Sequence, residues 1–120
     1  MTAMTVRPGL APKFYFGRDA VLFAMDNAGV NPFRAALTQA QQQGSSRLDV
    51  DEMTHQVLVE PGAAEVQFQD AKAVWRLDHA KAAEIIELLT NMSQHPGAGH
   101  YYVDISAPAT TLVISVDEYA

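Results

Sequence analysis

Hydrophobic and polar positions along the chain follow two periods. Short apolar runs bounded by turn residues are interrupted by two stretches in which apolar side chains return every three or four positions, as expected for strands separated by two amphipathic helices. The apolar, aromatic residues 14–16 precede Gly17, Arg18 and Asp19, and the run at 20–25 follows, which predicts a hairpin. Its second arm, AVLFAM, is apolar on both faces and suits a central strand covered from both sides. Phe33, Ala36, Leu37 and Ala40 then recur at helical spacing. Asn31 is the expected N-cap and Pro32 the first helical residue, where its missing N–H costs nothing, while Gly44 is the expected C-cap. RLDV and HQVLVE are the next strands, divided by DEMT, and Pro61 and Gly62 close the unit.

The second half repeats the plan. EVQF and AVWRL flank a turn at Gln69 and Asp70, and Asp78 is the expected cap of a helix reaching to about Met92. Ala82, Ile85, Ile86, Leu89 and Met92 form its apolar stripe, with Lys81, Glu84 and Glu87 facing water. HPGAG stops this helix, and YYVDI and TTLVISV are the last strands, with SAPA between them. At an offset of 52, widening to 55 after the longer HPGAG loop, Phe16 falls on Phe68, Phe23 on Trp75, Asp26 on Asp78, Leu37 on Leu89 and Asp49 on Asp104. Identities are few, and the shared order strand–strand–helix–strand–strand carries the repeat.

The predicted fold class is therefore α+β. Two ββαββ-like halves, consistent with an internal duplication, would form an antiparallel-dominated sheet with two helices on one face. Residues 1–13, with Pro8, Gly9 and Pro12, read as a flexible leader, and 14–120 as a single domain with half-repeats at about 14–62 and 63–120. Two helices cover one face only. The other is expected to be partly hydrophobic, which favours a homodimer through the open sheet face or a protein-binding surface there.

At 120 residues the chain fits one domain, and 48% hydrophobic against 18% charged residues is a globular composition rather than a disordered one. Eight basic against fourteen acidic side chains give a net charge of −6, which repels phosphate backbones and argues against nucleic acid as a partner. A basic protein partner is the better match. Cysteine is absent, which excludes disulfides, thiolate catalysis, Cys-type zinc sites and iron–sulfur clusters. No stretch approaches the roughly 20 apolar residues of a membrane span, and the N-terminus has no apolar core of signal-peptide length, so a cytoplasmic location without membrane partners is expected.

The chemistry-bearing residues are sparse. His95 and His100 bracket the PGAG loop and Asp104 follows, a set whose donor types suit zinc or iron. A helix end accounts for His95 and a strand edge for His100, however, and Asp104 lies about 13 Å from His100 along an extended strand. No serine stands in a nucleophile turn, and HPGAGH leads out of a helix rather than into one, so it is no phosphate cradle. No catalytic set and no cofactor are expected. Asp49, Asp51 and Glu52 cluster at one turn, Asp104 lies beside Tyr101 and Tyr102, and Asp117 and Glu118 precede Tyr119. Acids interleaved with tyrosines would steer and anchor a basic protein; the same residues also read as a solvated rim. Trp75 shares a face with Ala73 and Leu77 and reads as core, His79 as a solvated first-turn residue, and His55 as a strand residue with no evident partner.

The segment VWRLDHAKAAEIIELLTNMSQHPGAGHYYVDISAPATTLVISVDEY combines a W-x-L strand, an apolar helix, an H-x-Y-x-D strand and a final TLVISVDEY. In these features the C-terminal half resembles small bacterial proteins of the polymorphic-toxin immunity type. The resemblance implies a cytoplasmic inhibitor that blocks a toxin domain by surface complementarity, and it brings no catalytic residues. The expected function is thus that of a non-enzymatic, acidic protein-binding protein, with toxin neutralisation as its specific form. The alternative is a homodimeric small-molecule binder or metal-dependent enzyme with a groove near His95, His100 and Asp104.

Overall fold

The computed structural model describes residues 6–15, 18–50, 53–69, 71–95, 97–106 and 111–117, with side chains from residue 21 onward except at 68 and 69. Among them the chain runs β1 (Val6–Tyr15), β2 (Arg18–Met25), α1 (Asn27–Gln43), β3 (Ser45–Val50), β4 (Met53–Val59), β5 (Ala64–Gln69), β6 (Lys72–Leu77), α2 (His79–Gln94), β7 (Gly99–Asp104) and β8 (Thr111–Val116). This is an α+β fold with the expected strand–strand–helix–strand–strand order in each half.

The strands divide between two sheets, ordered β1-β2-β8-β7 and β3-β4-β6-β5. The sequence leads one to expect a single sheet; the helices are the reason for two. Each helix carries the chain from one sheet to the other, α1 from β2 to β3 and α2 from β6 to β7. Outer pairs are antiparallel, whereas the central pairs, β2 with β8 and β4 with β6, are parallel. Both central pairs join strands from different halves, so neither half can complete a sheet alone.

Exchanging the halves converts one strand order into the other, and the registers agree. Val21, Phe23 and Met25 face Leu112, Ile114 and Val116, as Ala73, Trp75 and Leu77 face His55, Val57 and Val59. Asp49 lies opposite Thr54 on β4, and Asp104 opposite Thr111 on β8. The Asp26 carboxylate accepts the Gly29 N–H at 3.0 Å, and that of Asp78 accepts the Lys81 N–H at 2.7 Å. The buried stripes also correspond: Val30, Phe33, Leu37 and Ala40 on α1, Ala82, Ile85, Leu89 and Met92 on α2. One proposed equivalence shifts. The ladder sets Leu10 against Val21 and Phe68 against Ala73, so Leu10 rather than Phe16 is the counterpart of Phe68. A register irregularity between Ala11 and Tyr15 displaces the first strand, and Phe16 lies outside the described residues.

Two further boundaries differ from expectation. β1 begins at Val6, inside the stretch read as a leader, because an edge strand tolerates Pro8 and Pro12, which lack a donor for a second neighbour. α1 is capped by Asp26 rather than Asn31, and Pro32 stands within the helix. Ala28, whose carbonyl a residue at 32 would ordinarily bond, is exposed to water, which softens the loss. The repeat already pointed to Asp26 as the counterpart of Asp78. Gly44 ends the helix as expected, with φ of 91°, its N–H reaching the Ala40 carbonyl.

The core lies where sheets and helices meet. Phe23 of one sheet and Trp75 of the other approach to 4.7 Å between ring centroids, and Phe33 of α1 lies 4.6 Å from Phe23 and 5.1 Å from Trp75. His55, fully buried on β4, completes the group: the Trp75 indole N–H donates to its Nδ1 at 3.2 Å. Indole nitrogen can only donate, so Nδ1 is the unprotonated nitrogen of a neutral ring. The helices pack antiparallel, the Arg34 guanidinium donating to Thr90 and Ser93 near the end of α2 while Gln41 reaches the His79 carbonyl at its start.

The outer faces of the two sheets differ in how far their side chains are covered. On the first sheet Ala24, Val113 and Ser115 are 4%, 1% and 0% exposed, so its apolar centre is covered within one subunit. The outer face of the second carries the half-buried Leu58 and Val74 among Arg47, Gln56, Lys72 and Arg76, with Arg76 bridging Glu60 at 2.8 Å and Glu65 at 3.7 Å. No described helix is long and apolar enough to cross a membrane, a statement that does not extend to strands.

Replacing Asp26 or Asp78 by alanine should each cost about 0.5–2 kcal/mol in urea unfolding, with similar values at the two equivalent caps. Trp75→Phe should cost about 1–3 kcal/mol from the stranded His55 acceptor alone, plus lost packing, read by circular dichroism.

Candidate functional site

β7 is the structural centre of the residues singled out from sequence. It is the edge of its sheet, with β8 on one side and no described strand on the other. Alternation along it separates two sets: His100, Tyr102 and Asp104 are exposed on the outer face, while Tyr101 and Val103 turn inward. Tyr102 is 48% exposed, the one large hydrophobic side chain so exposed among the described residues. The His100 ring meets it edge-on at 5.3 Å.

Tyr101 points the other way, against α2, where its hydroxyl accepts a hydrogen bond from the Asn91 amide. Together with Glu84, Glu87, Leu88, Asn91 and Gln94 it lines a groove between α2 and β7. Leu88 is half-buried and Glu84 and Glu87 are exposed, giving an apolar floor beside two carboxylates. Lys81 meets Glu84 at 2.9 Å. From spacing alone Glu84 and Glu87 are solvent-facing positions of α2. Their spacing with Leu88 and Asn91 marks one helix stripe next to the core stripe, and that signal could have grouped them.

The histidines converge only in part. His95 and His100 both line a shallow depression that also includes Tyr101 and Gly97, whereas Asp104 is not part of it. The His95 Nδ1–H donates to the Asn91 carbonyl at 3.0 Å. No group of three metal-ligating side chains gathers among the described residues. His55, which had no evident partner in the sequence, is held inside by Trp75; its alternation with Val57 along β4 was the available sign.

The acidic residues have separate roles. Asp49 and Asp104 occupy equivalent positions but sit on edge strands of different sheets rather than along one shared edge. Asp49 accepts the Thr54 hydroxyl at 2.8 Å and the Arg47 guanidinium at 3.1 Å. These two contacts, the Thr54 bond first, hold its carboxyl below the usual carboxylate value. Asp117, with φ of 57°, accepts the Asn27 N–H at 3.0 Å and so caps the start of α1. Asp51, Glu52 and Glu118 lie outside the described residues.

The carboxylate of Asp49, being favoured in the folded state, supports the fold above its unfolded titration range, and that support disappears as pH falls through its lowered midpoint. Thr54→Val should raise the Asp49 midpoint, followed by carboxyl-carbon NMR; an unmoved midpoint would show that the hydroxyl is not the cause. No family model matches the chain, and no curated protein or solved structure matches it either.

Proposed function

We propose that this chain is a non-enzymatic, acidic protein-binding protein that receives a basic segment of its partner in the groove between α2 and β7. The observation that supports it most directly is the juxtaposition of Glu84 and Glu87 with Leu88 and Tyr101. A lysine or arginine could lay its aliphatic stem along Leu88 and bring its cationic head to the carboxylates and the tyrosine ring. Tyr101 is fixed by Asn91, so little side-chain freedom remains to be lost on binding. The net charge of −6 favours encounter with a basic partner. A toxin domain is the class of partner suggested by the resemblance of the C-terminal half, and the chain would act on it by covering its surface.

A bacterial two-hybrid screen tests the reading. Partners recovered with the wild type should be lost with the Glu84→Lys/Glu87→Lys double variant, whose urea midpoint should match that of the wild type. Recovery of the same partners by both proteins, or of the chain itself alone, would reject it.

A further inference from the structure

We propose that the groove between α1 and α2 is a second binding site, for a short peptide held by its C-terminal carboxylate, with Arg34 as the anchor. The groove adjoins the one between α2 and β7 at Thr90, and the proposal does not depend on a partner being bound there. Its volume is about 480 Å³, within the range of small-molecule sites. Among the described residues no acidic side chain lines it, and Arg34 is its one cation.

Arg34 is held in place without being neutralised. Arg47, Arg76 and Lys81 each meet a carboxylate, whereas the half-buried Arg34 forms no ion pair among the described residues. Its partners are neutral: Nη1 donates to the hydroxyl oxygens of Thr90 and Ser93, each at 3.4 Å. These bonds fix the guanidinium plane and leave its charge uncancelled. Both are made by Nη1, so the hydrogens of Nε and Nη2 remain, and together they form the fork whose spacing matches the two oxygens of a carboxylate.

The internal repeat shows that packing does not require this charge. At the offset of 52 that relates Asp26 to Asp78, Arg34 corresponds to Ile86 and Thr38 to Thr90. All four line the groove, which is thus built from equivalent positions of the two halves. Both threonines return their hydroxyl hydrogens to the carbonyl four residues back. Ile86 fills its place with an alkyl chain, and the first half sets a cation at the same position. Farther along α1, Gln39 and Gln42 also line the groove, Gln42 lying eight residues and about 12 Å from Arg34. Primary amides both donate and accept, so these two match the peptide groups of an extended ligand whose carboxylate sits on Arg34. The net charge of −6 opposes the approach of an anion, so binding is weak and its selectivity comes from contacts inside the groove.

NMR titration of isotope-labelled protein with triglycine, triglycinamide and acetate tests the site. Triglycine should give saturable shifts at Arg34, Thr38, Gln39 and Gln42. Triglycinamide, which lacks the carboxylate, should give none there, and acetate should bind less tightly than triglycine. R34Q should abolish the triglycine shifts, as should R34I, which copies the residue tolerated in the other half. R34K keeps the charge but loses the fork and should weaken binding by about tenfold. Circular dichroism confirms the fold of each variant. A wild type without saturable triglycine shifts, equal shifts from triglycinamide, equal affinity for acetate, or triglycine binding retained in R34Q or R34I would each overturn the proposal.

Discussion

Burying Trp75 is the constraint around which this molecule is arranged. The indole is fully enclosed, and its N–H cannot be left without an acceptor in a dry interior. The acceptor supplied is the Nδ1 of His55 on the neighbouring parallel strand, which obliges that imidazole to remain neutral and enclosed as well. Phe23 and Phe33 close the remaining sides at tilted and edge-on angles favoured by aromatic quadrupoles. Trp75 belongs to the second half of the chain, and its three neighbours belong to the first. The residue that organises the core therefore also fastens the two halves together.

The sheets make the same point at the level of the backbone. Each is assembled from one strand pair of each half, joined by a parallel pair at the centre. Equivalent positions then receive equivalent jobs: Asp26 and Asp78 cap helices, and Thr38 and Thr90 bond back to the carbonyls of Arg34 and Ile86. Function can enter where equivalence fails. Arg47 and Tyr102 occupy matching places on matching edges, yet one is a cation tied to its own strand and the other an exposed ring. Asp117 has likewise been drawn into holding α1, leaving the acids of α2 as the carboxylates beside Tyr101.

Much of the architecture was legible because it rests on local periodicity. The stripes of α1 and α2, the capping Asp78, the terminating Gly44 and the inward face of Ala73, Trp75 and Leu77 all follow from spacing of three to four or of two. What was not legible depends on contacts remote in sequence. Nothing local says that β2 pairs with β8 across the domain, so one sheet seemed sufficient where two were built. Asn31 followed by Pro32 is a good local start signal, but a cap three residues before the Gly29 amide, supported by Asp117 from the far end of the fold, prevailed. His55 was opaque for a related reason: its partner is on another strand. The acidic rim was legible as composition only, since the sequence could not show which carboxylates bond inward.

The short link from Glu60 to Ala63 has a bearing on how the molecule is made. It joins β4 to β5, and everything before it lacks the strands that complete either sheet. During vectorial synthesis the first hairpin emerges early but must wait for β8, at the other end of the fold, before its inner strand gains a second neighbour. Trp75 likewise has to arrive before Phe23, Phe33 and His55 have anything to enclose. Closure of so large a loop is entropically demanding and slow compared with helix-rich topologies. The apolar faces of β2 and α1 are thus covered only once the second half is in place.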